Sequence, residues 1–180
     1  DLPHASFAGQ QETFLNVKGA DDLLDKVVKC WSSLFTPRAI FYRTEKGFPH
    51  EKVFISVGVQ KMVNSRAAGV MFTINPVTGD RDEIVIEGNF GLGETVVSGI
   101  VNPDDFIVDK NTMAIKERRI ARKTIKYVRD PKTGKTVHLD ISEAEQKIVC
   151  VSDQEIMMLT ELANRIEKHY GKAERIWLMD

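Results

Sequence analysis

The stretch "EGNFGLGET", Glu87 to Thr95, crowds glycines together and follows them with an acid. Glycine-rich loops can cradle phosphate, because a backbone without Cβ approaches an anion closely. The known cradles also need a phosphate-binding lysine after the glycines, or a long helix closing a parallel crossover unit. Neither follows here, so the spacing disfavours a Rossmann or P-loop fold. A tight turn that needs glycine backbone angles stands beside the phosphate reading.

Other chemistry-bearing residues are scattered. Cys30 and Cys150 form neither a CxxC pair nor a metal-ligand spacing, which fits a reduced, cytoplasmic chain with both thiols buried as small apolar groups. His4, His50, His138 and His169 are expected as surface or capping residues. The basic run "KERRIARKTIKY", Lys116 to Tyr127, contains one aromatic and reads as a solvated strand pair, not a nucleic-acid site.

The bulk properties agree. With 180 residues, 42% hydrophobic and 28% charged, the chain can bury a sizeable core. A net charge of -1 gives no bulk attraction for nucleic acid or an anionic membrane. No apolar run reaches bilayer length, and the opening residues lack the pattern of a signal peptide. The chain begins without methionine and is expected to be a cut piece of a longer protein.

These residues must be positioned by an alternation of helices and antiparallel strands, an α+β arrangement. "TFLNV", Thr13 to Val17, predicts a short strand. "GADDLLDKVVKCWSSLF" has its apolar residues at helical spacing, with acids in the first turn. "TPRAIFYRTEKG" predicts a second helix with Thr36 as N-cap, Pro37 at the first position and Gly47 as stop. "VFISVGVQKMV" and "AAGVMFTI" predict a hairpin turning at Asn64-Ser65-Arg66. "NPVTGD" and "DPKTGK" are turns, "EIVIEG" is a strand, and residues 106–109, 114–117 and 124–128 predict a meander. A helix capped by Ser152 and stopped at Gly171 leads into a last strand at "RIWLMD".

Three long motifs in order, "DLPHASFAGQQETFLNV", "VQKMVNSRAAGVMFTINPVTGD" and "IVIEGNFGLGETVVSGIVNPDDFIVDK", carry a resemblance. They are similar to the nucleotide-binding domain of the phosphoenolpyruvate synthase and pyruvate phosphate dikinase family, which also includes rifampicin phosphotransferases and phenylphosphate synthase subunits. The resemblance implies an ATP-grasp-like fold, two lobes of antiparallel sheet and helix clamping ATP with Mg2+, here as an incomplete fragment covering residues 1–180. It implies that Gly9 and Thr13 lie in a loop closing over the ATP phosphates. It matches Gln60 to a glutamine at the adenine edge, with Met62 packing on the ring. An amide offers both a donor and an acceptor to adenine, though it also suits a strand glutamine facing water.

The match has departures. The family's magnesium-ligating glutamate directly precedes a tryptophan; here Glu174 stands three residues before Trp177, and a helix-end ion pair is its plain alternative. The arginine and lysine that grip phosphate would precede Asp1, and a glutamine ligand would follow Asp180. Gly91 and Gly93 are expected to shape a tight loop near the site, with Glu94 facing solvent or a metal-bound water. The implied activity of a complete enzyme is transfer of phosphate from ATP through a phosphohistidine on a separate carrier domain to an acceptor, pyruvate foremost. Rifamycin and phenol acceptors, or a non-catalytic module, are the alternatives. Without the phosphate-gripping cations, the fragment alone is expected to be inactive and to bind ATP weakly or not at all.

Overall fold

The computed structural model describes residues 9–179. The segment "DLPHASFA" and its His4 therefore lie outside the described residues. The chain divides into two compact units, one reaching to Met62 and taking in Pro131–Lys135, the other made of Val63–Asp130 and Thr136 onward.

The first unit is built on two helices. Helix α1, Ala20–Ser32, starts after Gly19 with Asp21 and Asp22 in its first turn, where acids complement the positive end of the helix dipole. A 3-10 turn, Ser33–Phe35, leads into helix α2, Pro37–Glu45. The Thr36 side chain accepts from the Ala39 N–H at 3.3 Å, and Pro37 occupies the first turn. Gly47 then ends the run at φ 70°. The predicted caps are all present.

Two predicted strands in this unit are absent. Residues 12–15 are irregular, and Asn16 at φ 56° turns the chain out of the extended range. Residues 53–66 are also without a ladder, so the first half of the predicted hairpin does not form. Val53, Ile55 and Val57 are half-buried between exposed Phe54, Ser56 and Gly58, which keeps the period-2 pattern of a strand. Alternation specifies an extended chain; a strand also needs a neighbour to accept its backbone bonds, and no described residue supplies one.

The second unit is an antiparallel sheet backed by a helix. Strands β1 (Ala67–Phe72), β2 (Glu83–Phe90), β3 (Asp104–Asp109), β4 (Ile115–Arg119) and β7 (Arg175–Met179) lie in the order β4-β3-β2-β1-β7. The turn between β1 and β2 is set by Asn75, whose Oδ1 accepts from the N–H groups of Val77 and Thr78, and by Gly79 at φ 77°. The predicted meander is corrected: β5 (Ile125–Arg129) leaves this sheet and pairs with β6 (Thr136–Asp140) around the "DPKTGK" turn. Sequence reading missed β6, whose residues are mostly exposed.

Helix α4, Asp153–Tyr170, carries a capping box: Ser152 accepts from the Glu155 N–H, and Glu155 accepts from the Ser152 N–H. Gly171 closes it at φ 67°. Its buried residues Ile156, Thr160 and Ala163 follow the helical spacing. Ile156 and Ala163 join Met71, Ile84, Ile86, Phe106 and Val108 in the core, where each large apolar side chain contributes roughly 1.5–3 kcal/mol. Among the described residues, no helix is long and apolar enough to cross a membrane.

Candidate nucleotide site

Four of the five expected site residues, Gly9, Thr13, Gln60 and Met62, belong to the first unit; Glu174 belongs to the second. The loop that bears Gly9 and Thr13 is anchored to the end of α1. The Glu12 N–H donates to Ser33 Oγ at 3.2 Å, and that hydroxyl donates to the Cys30 carbonyl at 2.6 Å. Thr13, the next residue, is exposed. Gly9 is exposed at φ 71°, a conformation that side-chain-bearing residues rarely adopt. Arg38, in the first turn of α2, reaches the same loop: a Cβ on Gly9 would stand 3.7 Å from Arg38 Nη2.

Gln60 and Met62 sit in the extended segment that the ladder passes by. Gln60 is exposed and Met62 half-buried. A glutamine on an unpaired extended segment presents both its amide and its neighbours' backbone groups, the donor and acceptor set that a purine edge requires.

In the second unit the glycine-rich stretch is a joint, not a cradle. The Gly91 N–H donates to the Arg66 carbonyl and the Leu92 N–H to the Tyr127 carbonyl, each at 2.8 Å. Gly91 takes φ 76°, and a Cβ there would lie 2.2 Å from the Tyr127 oxygen. Asn89 Nδ2 donates to Thr95 Oγ1 and to the Ile125 carbonyl, tying the loop to β5. Both N–H groups at the turn are thus consumed within the protein, and the following helix α3, Glu94–Val97, is one turn long. Gly91 makes the tight turn expected of it, and Glu94 is exposed.

Glu174 directly precedes β7. Its N–H donates to Thr73 Oγ1 at 2.8 Å, and its carbonyl accepts from the Thr73 N–H at 3.0 Å, so its backbone is fixed. Its carboxylate lies 3.6 Å from Lys172 Nζ. Among the described residues, no three side chains of metal-ligating type converge. Magnesium keeps several waters and takes one or two carboxylates together with substrate phosphates, so Glu174 would supply one oxygen ligand of such a shell.

The second unit holds a buried ion pair that the sequence did not disclose. Lys123 and Asp104 form an ion pair at 2.6 Å with both side chains fully buried. Asp104 also accepts from the Ala121 and Cys150 N–H groups. Burial, with Asp104 beside it, pushes the Cys150 thiol up to about 12, so this cysteine is an inert thiol; Cys30 is only partly buried, short of the expectation. On the sheet surface Glu87 pairs in register with Asp105. Burial and then the Asp105 charge raise the Glu87 carboxyl above the usual range, while Arg119 and Arg175 oppose the shift.

The whole of this architecture, residues 1–180, matches the family described as "Pyruvate phosphate dikinase, AMP/ATP-binding domain". The chain belongs to that family. It is 52% identical over 188 residues to a "Probable phosphoenolpyruvate synthase" of Pyrococcus horikoshii, a match covering 100% of this chain and 23% of that protein. It is 51% identical over 188 residues to a "Phosphoenolpyruvate synthase" of Pyrococcus furiosus, with 100% and 23% covered. To a "Probable phosphoenolpyruvate synthase" of Methanocaldococcus jannaschii it is 53% identical over 172 residues, covering 96% of this chain and 14% of that protein. The chain spans about a quarter or less of the length of these relatives. Its α+β fold of mostly antiparallel strands is that of an AMP/ATP-binding domain of this family.

Proposed function

We propose that residues 1–180 are the ATP-binding part of a longer dikinase that transfers phosphate from ATP, through a phosphohistidine on a carrier domain, to pyruvate, giving phosphoenolpyruvate. The observation that carries this reading is near-50% identity, along the full chain, to relatives named phosphoenolpyruvate synthase. Gly9 and Thr13 take the phosphate end, the loop backbone approaching the anion and the Thr13 hydroxyl donating to it. Gln60 takes the adenine edge, with Met62 against the ring.

Phosphoryl transfer passes through a loose transition state that makes few covalent demands on the protein, so positioning and charge neutralisation supply the acceleration. In this reading the chain's own work is to orient the nucleotide and exclude water around its phosphates. Magnesium would neutralise phosphate charge when bound. Among the expected site residues, Glu174 would hold it. The protein works in the cytoplasm, where ATP is abundant.

The test is an acceptor assay on the full-length protein with ATP, pyruvate and water, following AMP and phosphoenolpyruvate together, the second phosphoryl group of ATP passing to water as inorganic phosphate. Stoichiometric formation of both supports the reading. ATP consumption with a rifamycin or a phenol but not with pyruvate moves the protein to a different acceptor class within the family. ATP binding without transfer to any acceptor makes it a non-catalytic module.

A further inference from the structure

We propose that Arg38 is the cation this domain brings to the phosphate tail of its nucleotide, acting from α2 through the space that Gly9 keeps clear. The inference rests on the reading that the Gly9–Thr13 loop faces phosphate, and it adds the charge which that loop lacks.

Three observations converge on Arg38. Among the described residues, its Nη2 is the nearest atom beyond the chain neighbours to the vacant Cβ position of Gly9, at 3.7 Å. It is exposed, and its guanidinium makes no hydrogen bond or ion pair among the described residues. No acid lies in the first turn of α2, and the helical neighbours of Arg38 at three and four residues on are Phe41 and Tyr42, so its own helix offers no counter-ion. An arginine without an internal partner, held beside a loop backbone, presents a fork of N–H donors that matches phosphate oxygens two at a time.

The local structure fixes the placement. Thr36 caps α2 and Pro37 sets its first turn, so Arg38 starts from a rigid backbone. The loop is tied on its other side by the Glu12–Ser33 bond, at the start of the 3-10 turn that leads into α2. Loop and guanidinium are therefore held by one short stretch of chain, Ser33 to Arg38. Any side chain at position 9 would be strained at φ 71°, and its Cβ would stand in van der Waals contact with Nη2.

The experiment measures dissociation constants of ATP, ADP, AMP and adenosine on the full-length protein, for the wild type and for Arg38→Ala, Arg38→Lys and Gln60→Ala. Arg38→Ala is expected to weaken ATP about tenfold to hundredfold, the range for a charge-assisted contact, and to leave adenosine unchanged. Arg38→Lys should recover part of the ATP loss, because it keeps the charge and loses the fork. Gln60→Ala should weaken all four ligands alike. Equal losses for ATP and adenosine in Arg38→Ala, or no loss for ATP, overturn the assignment of Arg38. If Gln60→Ala is also without effect, the reading of the whole site fails along with it. A melting temperature within a degree or so of wild type is expected for Arg38→Ala, since exposed substitutions change stability little.

Discussion

Lys123 Nζ lies 2.6 Å from Asp104 Oδ1, and neither side chain is exposed to solvent. The pair joins the first residue of β3 to the linker ahead of β5, and the second Asp104 oxygen holds the Cys150 N–H on the approach to α4. Phe90 lies under the ammonium, 5.6 Å from ring centre to Nζ. Removing one partner leaves an uncompensated buried charge, so Lys123→Met or Asp104→Asn alone should each cost about 3–5 kcal/mol. The double variant should be less destabilised than the sum of the two. Urea denaturation of all four proteins checks this; strict additivity would falsify the coupling.

Gly91 and Gly99 both have positive φ, 76° and 68°, yet their surroundings differ. A Cβ on Gly99 meets nothing within 4 Å, whereas one on Gly91 meets the Tyr127 carbonyl. Gly99→Ala should therefore cost only the left-handed penalty, about 1–2 kcal/mol. Gly91→Ala should cost clearly more, because the bond from the Leu92 N–H to the same carbonyl is lost as the backbone shifts. Comparing the two denaturation midpoints separates backbone strain from steric conflict.

Glu87 and Glu155 should respond to pH with opposite signs. The Ser152 N–H and Arg66 beside Glu155 hold its carboxyl below the usual range. A depressed folded value means that its contribution is present above the unfolded pKa and is lost as pH falls through the folded one. The raised Glu87 means the reverse: the native state holds its proton more tightly than the unfolded chain, and stability falls as pH rises through the folded value. Glu87→Gln should thus melt higher than wild type at pH 7, with the gap closing below pH about 4, near the ordinary glutamate value. Glu155→Gln should melt lower at pH 7, also converging in acid. Melting curves across that range test both signs.

Much of the fold was legible because local rules decide it. Thr36, Pro37 and Gly47 around α2, and Ser152 and Gly171 around α4, act within one turn of chain, so their types suffice to place them. Residues 53–66 show where that logic ends. Their alternation is real, but a strand is defined by a neighbour, which no stretch of sequence contains within itself. The same limit hid β6, and the departure of β5 from the meander. For the site, the sequence motifs singled out Gly9, Thr13, Gln60, Met62 and Glu174. Arg38 was invisible because its significance lies in its nearness to Gly9, a contact between a helix and a loop far apart in the chain. The buried partnership of Lys123 with Asp104 was hidden too, since a lysine in a basic run reads as solvated.

Gln60 is exposed on the unpaired segment of the first unit, and we propose that it reads the adenine edge. The direct test is titration of the full-length protein and its Gln60→Ala variant with ATP and with GTP. The account predicts that the variant loses about tenfold in ATP affinity, the effect of one or two neutral hydrogen bonds, and that its preference for ATP over GTP narrows. Unchanged ATP affinity together with an unchanged preference would contradict it.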